Sequence, residues 1–396
     1  MLLPDPSSRV QRAILCEYLT TGSTLARLFD LGVALLVWPL RSTLAAWRLS
    51  RSVGGEIADV RRPSVQFIHQ LGLAWFHGIS PVMYYQMGIA TSRSRQRPTC
   101  WLQDGYAGLL SRVFRDDKRL IELNDKARFA EIMKSAGIRH PDTVIVAATR
   151  AGDDTALLEM LTRHRELFVK RSIGHGGKGS RLLIREASGR WSVHHQQPSP
   201  DQPVPVLDEQ VLVQQLRASA RAGALLIQPR LSNHSLLARL FGPGLVSVRL
   251  VSARSEQRFV LLGVLVSFAA PDRLVSQRGL KVGVDRQTGE MGRVFRYSPD
   301  QREYAANPYT EQPVEGVRLP FWKEAVEMVQ RAHSQLRSYP FLGWDVAICP
   351  DGPTMLEANG NFGLAGLQRP QRKPLINREF LAVFNDWKQA GPRGGA

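Results

Sequence analysis

Cysteine is scarce in this 396-residue chain: Cys16, Cys100 and Cys349 are its only three. They lie far apart and form neither a metal-ligand spacing nor a redox pair. This excludes a disulfide-stapled secreted scaffold and suits a reducing cytoplasm. The start, Met-Leu-Leu-Pro-Asp-Pro, is not basic and no small-residue cleavage pattern follows, so nothing reads as a signal peptide. Long apolar runs are also missing from the N-terminal region. The longest there, residues 31–40, has ten residues, against the roughly 20 that a membrane-spanning helix needs. Internal repeats are absent. Negative charge is the scarcer sign, with 35 Asp and Glu against 52 Lys and Arg and a net charge of +17. The excess is mostly arginine, scattered rather than gathered in runs. Such a field favours anionic partners: nucleotides, an anionic glycan or lipid surface, or nucleic acid. No aromatic-interleaved basic repeat or reading-helix motif accompanies it, which discounts nucleic acid. With 43% hydrophobic residues, a chain of this length buries a large core and holds more than one domain.

Two stretches of the first 118 residues are apolar. Residues 31–40 are preceded by Asp30 and followed by Arg41, Arg48 and Arg51. Trp38 and Trp47 among those arginines fit a helix lying on an anionic bilayer. Residues 63–92 carry no Asp, Glu, Lys or Arg, yet Gln66, His69, Gln70, His77, Pro81 and Gln86 make a membrane span unattractive. Packing on the body of the protein is the better reading of both, with peripheral contact at the inner face of a membrane as the alternative. His69 and His77 read as satisfied structural histidines. Residues 198–205 form a proline-rich loop.

What is there in quantity is chemistry on loops and strands. From Phe341 to Asn361, two strand-like runs flank Pro350-Asp351-Gly352. That composition predicts a three-residue loop, a type I turn closed by a glycine at positive φ. The register then sets Asp345 opposite Glu357, with Asn359 two residues on along the same face. Three oxygen donors on one face suit Mg²⁺, which keeps waters and takes substrate phosphates to complete its shell. An ordinary hairpin with a polar outer face is the bland alternative.

From Leu167 to Ile184, an apolar strand ends at Lys170. Glycines follow at 174, 176, 177 and 179 around Lys178, and a second apolar strand begins. Glycines admit phosphate oxygens close to backbone amides, so this segment reads as a phosphate cover. It is not a Walker loop, because Gly179 rather than Ser or Thr follows Lys178. An exposed glycine hairpin is its alternative. A helix is predicted after Asn124 or Asp125, with Phe129, Ile132, Met133 and Ala136 at helical spacing and Gly137 ending it before Pro141. Lys126 falls in its first turn, where a nearby anion offsets the unfavourable dipole, or where water simply solvates it.

The order of these features resembles the ATP-grasp superfamily: a lysine at a helix start, a lysine before a glycine loop, an apolar strand into a linker, then Asp and Glu-x-Asn on paired strands. More narrowly, Leu226-Ile-Gln-Pro-Arg-Leu-Ser-Asn-His234, Val246-Ser-Val-Arg-Leu-Val-Ser252, Gly316-Val-Arg-Leu-Pro-Phe-Trp322 and Gly343-Trp-Asp-Val-Ala-Ile348 look like the sugar-transfer-associated ATP-grasp family. The resemblance covers about residues 120–375.

The resemblance implies an α/β protein with two α+β lobes clamping Mg-ATP and a helical N-terminal region. The expected divisions are 1–118, a first lobe at 119–228, a second lobe at 229–385 and a tail at 386–396. Lys126 and Lys170 match the lysines that contact ATP phosphates. Gly174, Gly176, Gly177, Lys178 and Gly179 match the triphosphate lid. Gln228, Pro229, Arg230 and Leu231 match the linker whose backbone meets the adenine edge. Asp345, Glu357 and Asn359 match the metal ligands. Arg249, inside an apolar strand, matches an arginine expected at the phosphate or activated acyl group, with a buried structural ion pair as the alternative.

The activity implied is ATP-dependent ligation of a small-molecule carboxylate to a sugar or amine acceptor, through an acyl phosphate. Two rivals stand beside it: phosphoryl transfer to a hydroxyl, and a non-catalytic ATP-binding protein. The chain also departs from the family pattern. The family's Asn-x-x-x-Gly-Gly segment is replaced by Val275-Ser-Gln-Arg-Gly-Leu280, and Asn361-Phe-Gly-Leu-Ala-Gly-Leu-Gln368 lacks an arginine that some carboxylate-amine ligases use. The acceptor side is therefore where this chain is least like its relatives.

Overall fold

The computed structural model describes residues 6–20, 24–53, 62–90, 98–103, 106–114, 123, 125–147, 154–174, 179–195, 203–270, 280–296, 302–371 and 373–390. Two antiparallel sheets organise it. The first contains β1 (Val144–Val146), β2 (Glu166–Arg171), β3 (Arg181–Arg185), β4 (Trp191–His195), β5 (Val206–Leu207) and β6 (Leu225–Pro229), in the order β1-β6-β2-β3-β4-β5. Alternation decides its faces. Leu167, Val169, Leu225 and Ile227 point into a core closed by Leu157 and Leu161 of helix α7 (Thr155–Arg163) and Leu212 and Leu216 of α8 (Glu209–Ala220). By the same alternation, Phe168 and Lys170 on β2 take the face away from these helices, as do their cross-strand partners Gln228 and Leu226.

The second sheet contains β7 (Ser247–Arg254), β8 (Phe259–Phe268), β9 (Leu280–Val284), β10 (Met291–Arg296), β11 (Glu303–Tyr304), β12 (Phe341–Cys349) and β13 (Gly352–Asn359), in the order β11-β10-β9-β8-β7-β12-β13. It is covered on both faces, which is why β12 is buried along its whole length. Val248, Leu250, Val264 and Trp344 pack against α6 (Lys126–Ser135), α9 (Ser235–Phe241) and α10 (Trp322–Gln335). Val251, Ala253, Leu265 and Phe341 pack against α1 (Pro6–Thr20), α5 (Tyr106–Arg112), α11 (Leu364–Gln371) and α12 (Arg378–Ala390). Helix α6 thus joins the core of the second sheet, through Phe129 and Met133, although the first sheet follows it in sequence.

Close approach on the second face depends on missing side chains. A Cβ at Gly343 would stand 2.3 Å from Cβ of Phe362, and one at Gly283 would stand 2.7 Å from Cβ of Pro370. Both glycines let the chain beyond the hairpin lie directly on strand backbone. The buried Trp344 indole donates to Ser252 Oγ at 2.8 Å, and Ser252 Oγ lies 2.8 Å from His333 Nδ1, so these three buried side chains satisfy one another.

The N-terminal region adds α2 (Thr24–Ser52), α3 (Pro63–His77) and α4 (Pro81–Gln86) around a small core of Leu73, Met83, Tyr84, Tyr85 and Trp101. The expectation of packing is met by α4. Helix α3 meets it on one face only, since Leu73 and Ala74 are buried whereas Val65, Ile68, Trp75 and Phe76 are exposed.

Candidate active site

Three neighbouring strands set one row of charge across the second sheet. Asp345 on β12 lies opposite Arg249 on β7 and opposite Glu357 on β13. The expected pairing of Asp345 with Glu357 is present, but its cause is different. Cys349 pairs with Gly352 and Ile348 with Pro353, so the loop holds two residues, Pro350 and Asp351, rather than three. That register alone would put Leu356 opposite Asp345. A β-bulge at Leu356 shifts it by one and turns Glu357 onto the row. The bulge is held from outside: Met355 N donates to the Arg139 carbonyl at 2.9 Å, and the His140 ring bonds the Leu356 backbone.

The row is tightly bonded. Arg249 Nε donates to Asp345 Oδ1 at 2.8 Å and Nη2 to Oδ2 at 2.7 Å, a bidentate pair, while Nη1 reaches the Phe362 carbonyl at 3.4 Å. The ion pair weighed above as the alternative for Arg249 is therefore present, with Asp345 as its partner. Burial pushes the Asp345 carboxyl up, but the charge and hydrogen bonds of Arg249 outweigh it and hold the group below the usual carboxylate range, with smaller contributions from Glu357 and Lys281. Asn359 Nδ2 donates to Asp345 Oδ2 at 3.3 Å and to Glu357 Oε1 at 3.2 Å. The three expected metal ligands thus form one hydrogen-bonded group.

Both lysines reach this group from outside the sheet. Asp125 caps α6, accepting from the Ala127 amide at 2.9 Å and from the Ser172 hydroxyl, and Lys126 N donates to the Ser172 carbonyl at 3.1 Å. These bonds pin the helix start to the end of β2. Lys126 Nζ then donates to the Gly174 carbonyl at 2.7 Å and stands 3.8 Å from Glu357 Oε2. Burial pushes the Lys170 ammonium down to about 8, against the pull of Glu357, with Lys126 adding to the fall and Asp345 opposing it. The two lysines are therefore close enough to repel while sharing Glu357, an arrangement an added anion would relieve.

The remaining expected residues are placed as follows. Gln228 ends its amide on Thr143 Oγ1 at 2.8 Å, Pro229 closes β6, and Arg230 pairs with Glu166 at 2.9 Å before the chain turns at Leu231 toward α9. Gly174 and Gly179 flank the glycine loop; Gly176, Gly177 and Lys178 lie outside the described residues. Sequence reasoning missed His140. Burial and the neighbouring Lys170 push its imidazole down to about 4, and its Nδ1 lies 2.9 Å from the Pro141 carbonyl. It stands between a site lysine and the bulge that orients Glu357.

Among the described residues no three His, Cys, Asp or Glu side chains cluster as a metal site. Two carboxylates and an amide are a donor set for a hard cation that keeps water or phosphate oxygens, and Asp345, Glu357 and Asn359 fit this once the Asn359 amide turns its oxygen inward.

No curated protein matches. Solved structures similar to this chain include D-alanine–D-alanine ligase from Bacillus anthracis, at 13% identity over 68% of this chain and 70% of that one, TM-score 0.39. VanG D-Ala:D-Ser ligase from Enterococcus faecalis is similar at 14% identity over 67% and 61%, TM-score 0.40. The ATP-grasp ligase PsnB, complexed with a minimal precursor, is similar at 12% identity over 71% and 70%, TM-score 0.39. The family model described as sugar-transfer associated ATP-grasp matches residues 110–382, well over half of the sequence. The chain belongs to the sugar-transfer associated ATP-grasp family.

Proposed function

We propose that the protein is an Mg-ATP-dependent ligase that activates a carboxylate as an acyl phosphate and joins it to an amine or hydroxyl acceptor. The observation that supports this most is the convergence of Lys126 and Lys170, from two different elements, on the group formed by Asp345, Glu357 and Asn359. In this reading ATP lies between the two sheets. The backbone of residues 228–231 meets the adenine edge, and the loop from Gly174 through Gly176, Gly177 and Lys178 to Gly179 covers the triphosphate. Mg²⁺, held by Asp345, Glu357 and Asn359, supplies neutralisation of phosphoryl charge.

Lys126 and Lys170 hold the phosphate oxygens, and no protein nucleophile is required. A carboxylate oxygen of the substrate bonds to the γ-phosphorus as the bond to the β,γ-bridging oxygen breaks, releasing ADP. The acceptor then attacks the acyl carbon, phosphate leaves, and the acceptor's proton passes to solvent. Arg249 positions Asp345 through its bidentate pair and adds positive charge beside the transferring group. The family's sugar-transfer association supports a sugar or polysaccharide precursor as acceptor, and the division into lobes at 119–228 and 229–385 follows the same reading. A cytoplasmic location is part of it.

Hydroxylamine added with ATP and a panel of carboxylates tests the proposal. A hydroxamate formed together with ADP is the expected product. Labelled γ-phosphate ending on a sugar hydroxyl would instead make the protein a kinase, and nucleotide binding without substrate-dependent phosphate release would make it a regulator.

A further inference from the structure

Helix α3 buries Gln66 and Gln70 beside Leu73 and Ala74, and both glutamines bond to the Tyr85 hydroxyl: Tyr85 Oη donates to Gln66 Oε1 at 2.6 Å and Gln70 Nε2 donates to Tyr85 Oη at 3.1 Å. Its outward face carries Val65, Ile68, Trp75 and Phe76, with Ile68 70% and Phe76 69% exposed. Helix α2 also turns apolar side chains outward from Leu35 onward. Leu36, Leu40, Leu44 and Trp47 recur every three or four residues and are all exposed, Leu36 at 81%. The two helices are tied side by side: Trp38 Nε1 donates to the Ala74 carbonyl at 2.9 Å and Trp75 Nε1 to Ser42 Oγ at 3.2 Å. Nine of the 17 exposed large apolar side chains in the described residues lie on α2 and α3, so this is a patch rather than the usual scatter.

The charge around the patch has one sign. Among the described residues from 32 to 90, four arginines, Arg41, Arg48, Arg51 and Arg62, stand against no Asp or Glu. Arg41, Arg48 and Arg51 lie on α2 among the apolar side chains, and Arg51 sits over the Trp47 ring at 4.6 Å. Leucines, tryptophans and a phenylalanine outward, arginines interspersed and almost no acid is the composition of a surface that enters the headgroup region of an anionic bilayer. Pro39 and the arginines interrupt α2, and among the described residues no helix is long and apolar enough to cross a membrane.

We propose that the outward face of α2 and α3 docks the protein flat on the surface of an anionic lipid bilayer. The patch lies before residue 110, where the family match begins, so it stands independently of the ligase reading.

The full chain is mixed with phosphatidylcholine vesicles, with and without phosphatidylglycerol, and sedimented. Binding that needs the anionic lipid, weakens with salt and is released by alkaline carbonate is expected. Arg41→Ser with Arg48→Ser removes about five-fold in partitioning per arginine, and Leu36→Ser with Phe76→Ser removes about ten-fold or more per side chain. These positions are exposed, so thermal unfolding of the variants should match the parent. Brominated acyl chains should quench tryptophan emission in the unmodified protein, a readout that needs no variant. Absence of binding to either vesicle, carbonate-resistant binding, or apolar variants that bind like the parent would overturn the proposal. So would a lipid-free dimer that Leu36→Ser with Phe76→Ser converts to monomer, since the face would then be an interface between copies.

Discussion

Replacing Arg249 with methionine tests how the charge row is held together. The side chain gives up two charge-assisted bonds to Asp345, at 2.8 and 2.7 Å, and leaves a carboxylate that is 8% exposed without its cation. Removing one partner of a buried ion pair destabilises by about 3–5 kcal/mol, because the other charge stays buried. For a cooperative unit of about 200 residues this lowers Tm by roughly 10 °C. The pH dependence should change sign as well. In the parent, Asp345 titrates below its ordinary value, so its contribution is present above the unfolded pKa and is lost as pH falls through the folded one. In Arg249→Met, burial dominates and the carboxyl titrates above its ordinary value. The variant then gains stability relative to the parent as pH falls toward 4 and loses it as pH rises. Differential scanning calorimetry between about pH 4 and 8 reads both effects. The double variant Arg249→Met, Asp345→Leu should recover most of the loss, since an apolar pair of similar volume does not strand a charge. An unchanged Tm in the single variant, or a double variant no better than the single, would refute the account of the row.

Gly343→Ala forces a methyl to within 2.3 Å of Cβ of Phe362 and should lower stability by about 2 kcal/mol or more, read as a urea midpoint shift; an unchanged midpoint would remove the close approach from the account. Because Lys170 titrates near 8, nucleotide affinity should weaken as pH rises through that value and the ammonium discharges. Lys170→Met should bind weakly with that dependence gone, as calorimetric titration across the range would reveal.

Much of the site was legible in the sequence because strand alternation alone puts Glu357 and Asn359 on one face. The register was reached by a route the chain does not take. A three-residue loop and a two-residue loop followed by a bulge give the same pairing of Asp345 with Glu357, and Leu356, unlike a glycine or proline, carries no sign that it bulges. The helix of Lys126 was readable from its cap and stripe, whereas its packing on the later sheet was not, since apolar spacing names a face and not its partner. Arg249 and Asp345 are 96 residues apart and meet only because β7 and β12 are neighbours. His140 bears no motif and gains meaning only from the strands around it. Helix α3 deceived for a related reason: a charge-free segment reads as buried, and hydropathy cannot foresee that glutamine, not phenylalanine, is the side chain turned inward.

Titration of the protein with ATP by calorimetry, with and without Mg²⁺ and in parallel with Glu357→Ala, tests the central assignment most directly. The account predicts Mg²⁺-dependent ATP binding in the parent and its loss in Glu357→Ala, with the fold intact because Glu357 is partly exposed at the edge of the sheet. Unchanged Mg-ATP affinity in Glu357→Ala would contradict it.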